Sequence, residues 1–299
     1  MMSTSPATHE RVVTIGPDEN VIGIVTESAR EGSEKPRPNV VFLNAGVLHR
    51  VGPHRLHVML ARRLAASGFC SLRIDLSGIG DSRNVPGALT FRESSVADAR
   101  NAMDFLLQHS LIGHGSTGAF IFFGLCSGAD NGLATALADE RVIGLILVDP
   151  PTYATYRSRL RRIVGRLSSF GGAVGPMAAW VVGAATRQLR RWLQTSTHRI
   201  TVSDPAISAK PAGRPRPLQE EYFQQISTLL DRGVKILCIF SGANGAGYNH
   251  PDQLYESFPR LQGRLDVAYL PAANHVFTEP DARNALKDAV TQWCCQNFG

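Results

Sequence analysis

Along most of the chain, short apolar runs alternate with longer stretches in which apolar residues recur every three or four positions. The runs suit strands buried on both faces, and the longer stretches suit helices that turn one stripe toward a core. Strands are predicted at Val12 to Ile15, Val21 to Thr26, Val40 to Leu43, Ser71 to Ile74, Ala119 to Phe123, Val142 to Val148, Lys235 to Phe240 and Leu265 to Leu270. Helices are predicted at His54 to Ser67, Ser94 to Leu107, Asp130 to Ala138 and Pro280 to Gln296. This alternation implies an α/β fold, a mostly parallel sheet of eight strands with helices on both faces.

The alternation fails from Pro151 to about Pro217, where the next strand is delayed by more than 80 residues after Asp149. A connection that long inside a compact fold is normally a lid or a small added domain. The expected organisation is therefore a core in two parts, residues 1–150 and 218–299, interrupted by a basic helical lid over 151–217. The end of the insertion, Ser208 to Pro217, holds Pro211, Gly213, Pro215 and Pro217 and reads as an irregular return linker.

Composition narrows the function classes. Apolar residues make up 43% of the 299 positions and charged residues 19%, ordinary for a globular enzyme and unlike a disordered chain. No stretch reaches the roughly 18 apolar residues of a membrane span, and the first 35 residues do not read as a secretory signal. The five cysteines, Cys70, Cys126, Cys238, Cys294 and Cys295, are odd in number and lack CxxC spacing. Neither a disulfide framework nor a metal site is expected, and the reading is a reducing cytoplasm. No cofactor is called for.

One segment carries chemistry. Phe122-Phe123-Gly124-Leu125-Cys126-Ser127-Gly128-Ala129 takes an apolar strand through Gly-x-Cys-x-Gly into a helix. A nucleophile at such a turn sits in strained backbone, so its neighbours two before and two after must be small. Cys126 is central. The helix N-terminus and the Ser127 N–H would face a developing oxyanion, and a thiol there should supply thiolate near neutral pH. The competing readings are a buried structural cysteine, or Ser127 as nucleophile, one residue off the centre.

Further segments resemble the α/β-hydrolase family over about residues 20 to 150 and 219 to 299. Val40 to Gly46 is similar to the third strand and its oxyanion turn, with Asn44-Ala45 where the family usually has His-Gly, which implies Gly46 and Ser127 as the oxyanion N–H donors. Asp75-Leu76-Ser77-Gly78-Ile79-Gly80-Asp81-Ser82 is similar to the family's Asp-x-x-Gly-x-Gly-x-Ser loop. Among its members, bacterial hydrolases of exosortase and exopolysaccharide loci look closest. His275 follows the last predicted strand, the family's place for the general base, against the plainer reading of a surface or capping histidine. The third member departs from the pattern. The loop Ser241 to Tyr248 holds no carboxylate, and Asn244 stands closest to the acid position; Asp149, at the end of Val142 to Val148, is the alternative orienter.

From Pro151 to Ser203 there is no acidic residue and nine arginines, which accounts for the net charge of +6. Arg157, Arg161, Arg190 and Arg191 are the candidate substrate-binding residues, for a phosphate-bearing or carrier-bound acyl donor. A solvated helical cap and peripheral membrane contact compete with that reading. Nucleic acid is not expected, since no binding motif accompanies the arginines.

The function this predicts is an esterase, thioesterase or acyltransferase working through a covalent acyl intermediate on Cys126. The alternatives are a non-catalytic binding protein of the same fold and, on Gly242-x-x-Gly245-x-Gly247, a nucleotide-binding oxidoreductase. That spacing is not Gly-x-Gly-x-x-Gly. The acyl group, acceptor and oligomeric state are not encoded in any motif.

Overall fold

The computed structural model describes residues 8–28, 36–84, 89–109, 116–169, 216–242 and 248–299. The apolar runs become one eight-stranded sheet: β1 (Thr8–Ile15), β2 (Val21–Ser28), β3 (Arg37–Phe42), β4 (Ser71–Ile74), β5 (Ser116–Leu125), β6 (Val142–Val148), β7 (Lys235–Ser241) and β8 (Asp266–Leu270). Their spatial order is β1-β2-β4-β3-β5-β6-β7-β8. The contacts β1–β2 and β2–β4 are antiparallel, and all later ones are parallel. Every residue of β4 and all but one residue of β6 is buried, as expected of strands covered on both faces.

Two apolar layers sandwich the sheet. On one face α2 (Phe91–Gln108), α3 (Ser127–Ala138) and α5 (Gln219–Asp231) pack residues such as Met103, Leu133 and Ile226 against Val41, Phe122 and Leu145. On the other, α1 (Leu56–Ala66) and α7 (Pro280–Phe298) pack Leu60, Leu64, Leu286 and Val290 against Phe42, Ile121 and Ile146. Helix α2 starts at Thr90, whose side chain and backbone exchange hydrogen bonds with Glu93, a capping box.

The chain divides into two compact units, Met1–Tyr153 with Pro217–Gly299, and Ala154–Arg216. The first unit is closed where the chain leaves and re-enters it: the Tyr153 hydroxyl donates to the Pro217 carbonyl at 3.0 Å. Its ring packs edge-on against Phe258 and tilted against Tyr222 of α5. The described part of the second unit contains α4 (Tyr156–Ser169). Two helices were not anticipated, α5 and the short α6 (Gln253–Ser257). Helix α5 follows directly on the end of the expected return linker at Pro217 and buries Tyr222, Ile226 and Leu229 at helical spacing.

Parallel strands direct their C-terminal ends to one edge, which is where ligands bind in open α/β sheets. Six consecutive loops there carry Asn44 to Gly46 after β3, Asp75 after β4, Cys126 after β5, Asp149 after β6, Ser241 at the end of β7, and His275 after β8. Among the described residues no helix is long and apolar enough to cross a membrane.

Candidate active site

The turn from β5 to α3 places Cys126 at φ 58° and ψ −118°, a region non-glycine residues rarely enter. Its N–H donates to Val148 O at 2.9 Å and its carbonyl accepts from Ala129 N at 3.0 Å, which holds the strained residue from both sides. The flanking glycines have separate reasons. A Cβ on Gly124 would lie 2.1 Å from Gly128 O, and a Cβ on Gly128 would lie 2.7 Å from Asn44 O. The first contact closes the elbow; the second lets the elbow and the turn after β3 meet backbone to backbone.

That turn carries Gly46 at φ 60°. Its N–H donates to the Ser127 hydroxyl at 2.8 Å, so the two expected oxyanion donors are neighbours, and one of them already has a partner in the resting structure. The turn is bolted from below. Asn44, where the resembling family has histidine, donates to Leu48 O at 2.9 Å and Asp75 Oδ1 at 3.0 Å and accepts from Leu76 N at 2.7 Å. Asp75, fully buried, also accepts from the Arg50 backbone and guanidinium and from Asp81 N. A Cβ on Gly80 would collide with that carboxylate, 2.2 Å from Oδ2. Asn44 thus joins the loops after β3 and β4, a part that its position in the motif did not announce.

On the other side of the elbow, His275 hydrogen-bonds through Nδ1 to Asp149 Oδ2 at 2.7 Å. Asp149, itself at φ 47°, is buried. Its two oxygens also accept from Ser241 N at 2.8 Å and Ser241 Oγ at 2.6 Å. The hydrogen bond to Asp149, and a second to Cys126, raise the His275 pKa to about 10 against the pull of burial. The arrangement favours the charged, imidazolium form of His275 at neutral pH. The loop holding His275 is anchored by Phe277, fully buried in the core at φ 53°, and by the reciprocal bonds of Asn274 and Thr278.

Cys126, His275, Gly46 and Ser127 are therefore brought together. Of the two candidate orienters, Asp149 contacts His275, and Asn244 lies outside the described residues. Arg157 is exposed and Arg161 half-buried on α4 of the second unit, while Arg190 and Arg191 lie outside the described residues. Ser241 was missed by sequence reasoning. Its signal was thin: a hydroxyl at the end of the strand next to the one that delivers Asp149. Exposed apolar residues sit beside both halves of the site, Val47 and Leu48 after Gly46 and Val276 after His275. A recess of about 620 Å³ between β1 and α2 shares no residue with this site.

The pattern of the "Alpha/beta hydrolase family" matches residues 40–288, and the chain belongs to that family. Solved structures share the fold at low identity. A hypothetical protein from Pseudomonas aeruginosa is 14% identical with a TM-score of 0.55, over 99% of this chain and 95% of its own. Carboxyl esterase 2 from the fungus Tuber melanosporum is 16% identical with a TM-score of 0.53, over 100% and 88%. The α/β serine hydrolase without lid from Xanthomonas campestris is 16% identical with a TM-score of 0.50, over 96% and 94%. No curated protein sequence matches the chain.

Proposed function

We propose that the protein is an acyl hydrolase or acyltransferase with a cysteine nucleophile, and that Cys126, His275 and Asp149 act as its catalytic group. The observation that carries this reading is the thiol at a positive-φ elbow hydrogen-bonded to a histidine that a buried carboxylate orients. The Cys126 thiolate attacks the carbonyl carbon of an ester or thioester, and the carbonyl π electrons move to oxygen. The N–H groups of Gly46 and Ser127 stabilise that oxyanion once the Gly46 N–H turns from the Ser127 hydroxyl to the substrate. Collapse expels the alkoxide or thiolate leaving group, protonated by the His275 imidazolium, and leaves an acyl group on sulfur. Neutral His275 then takes a proton from water, an alcohol or an amine as it attacks the acyl carbon, and the thiolate departs.

Asp149 holds the imidazole by Nδ1 and leaves Nε2 for these transfers. The apolar rim of Val47, Leu48 and Val276 supports an acyl group with an apolar body. Intact-mass measurement after exposure to a panel of acyl esters and thioesters tests the reading. An acyl adduct that maps to Cys126 is expected, with Cys295→Ser as the background because Cys295 is also exposed. The buried thiols of Cys238 and Cys294 are pushed up by desolvation and stay unreactive at neutral pH. No adduct on Cys126 with any donor would leave a non-catalytic binding protein of this fold.

A further inference from the structure

Helix α4 begins with a cap of its own. Thr155 Oγ1 accepts from Ser158 N at 2.9 Å, and Ser158 Oγ accepts from Thr155 N at 2.9 Å, so its first turn is closed by local bonds. Its residues are sorted by chemistry. At about 100° per residue, Tyr156, Leu160, Ile163 and Val164 fall within an arc of about 100°, Arg157 and Arg159 border that arc on either edge, and Arg161 and Arg162 lie on the far side. The apolar stripe faces outward: Tyr156 is 69% exposed, Leu160 48%, Ile163 56% and Val164 56%. No other described helix exposes large apolar side chains at four such positions.

The charge on this helix is also out of place for a helix in water. Its first turn has no acidic residue, and Arg157 and Arg159 stand near the positive end of the helix dipole. An anionic surface would remove that conflict while the stripe leaves water. A soluble phosphate would satisfy the arginines and leave the stripe uncovered. We propose that α4 is an interfacial helix that seats this protein on anionic lipid membranes, with Tyr156, Leu160, Ile163 and Val164 in the acyl-chain boundary and Arg157 and Arg159 at the headgroups. The inference does not depend on the chemistry at Cys126.

The full-length protein is sedimented with vesicles of phosphatidylcholine and with vesicles that also contain phosphatidylglycerol. Binding to the second and not the first is expected, weakening with salt. Ile163→Glu and Leu160→Glu should each reduce partitioning roughly tenfold or more, the scale of one apolar side chain lost from the boundary. Arg157→Ala should reduce it about fivefold, and Ile163→Trp should retain or strengthen it with a blue-shifted emission on vesicle addition. Equal sedimentation with both vesicle types, or with neither, would overturn the proposal. So would release by inorganic pyrophosphate at constant ionic strength, which would make this a phosphate site. Thermal melts of Ile163→Glu and Leu160→Glu guard against a stripe covered by the chain itself: a midpoint several degrees below the parent would also overturn it.

Discussion

Two histidines of this protein meet opposite environments, one at the C-terminal edge of the sheet and one beneath the loop backbone at Gly52. His275 is partly open to solvent, touches a carboxylate and a thiol, and is raised to about 10. His57, in the first turn of α1, is fully buried and packs against the rings of Phe42 and Phe123, which also touch each other. Neither of its ring nitrogens meets a well-aligned partner, and burial, with the nearby Arg73 charge, lowers it to about 3. A Cβ on Gly52 would touch its ring at 2.5 Å, so the loop backbone lies flat upon it. A histidine thus keeps its charge where partners hold it and becomes a packing residue where they do not.

The sharpest way to break the contrast is to remove the thiol. Cys126→Ala deletes the proposed nucleophile, and turnover of any donor found in the mass screen should fall on the order of 10³-fold or more in steady-state assays. Asp149→Asn comes next. It removes the strongest upward pull on His275, so the histidine should titrate lower and the alkylation of Cys126 by iodoacetamide should need a higher pH. Turnover should drop about 10²-fold, less than the roughly 10⁴-fold of a serine triad, because a thiolate already carries charge that serine must generate. An unchanged alkylation profile would remove Asp149 from the catalytic group.

His57→Phe tests the other half of the comparison through stability. The unfolded imidazole takes up a proton as pH falls below 6.5, and the folded one only near 3, so the native state loses ground across that window. The cost of His57 should reach about 3 kcal/mol by pH 4. His57→Phe should flatten that slope in urea melts at pH 7 and pH 4, without changing the pH dependence at the active site. The smallest effect belongs to Ser127→Ala, which keeps the backbone N–H and frees that of Gly46. It should alter kcat/KM by less than about tenfold, the scale of one hydrogen bond. A loss equal to that of Cys126→Ala would move the nucleophile to Ser127.

Much of the fold was legible because buried parallel strands print themselves as uninterrupted apolar runs. Ser71–Ile74 and Val142–Val148 were read to the residue. β3, expected at Val40 to Leu43, runs Arg37–Phe42: it starts three residues earlier through pairing with β5 and ends one residue earlier. At the site, the meeting of Cys126 and His275 could be anticipated because backbone strain restricts the elbow's neighbours and chain order places the histidine after the last strand. Loop position favours Asn244 over Asp149, whereas the hydrogen bond seen on His275 is to Asp149, and Asn244 lies outside the described residues. The ends of β6 and β7 are adjacent in space, with Asp149 N donating to Ile239 O at 2.8 Å, and either end is close enough to serve one histidine. Position along the chain does not say which side chain points inward.

That adjacency carries a consequence for descent. Asp149 and Ser241 face each other across neighbouring strands, 2.6 Å apart, as acceptor and donor. An exchange of the two side chains would carry the carboxylate from one strand to the next while keeping the same pair of groups in contact. Two point changes, Asp149→Ser with Ser241→Asp, would carry the carboxylate to the neighbouring strand without moving a backbone atom of the elbow, and residue-by-residue comparison of distant members would then find the same pair of groups at exchanged positions.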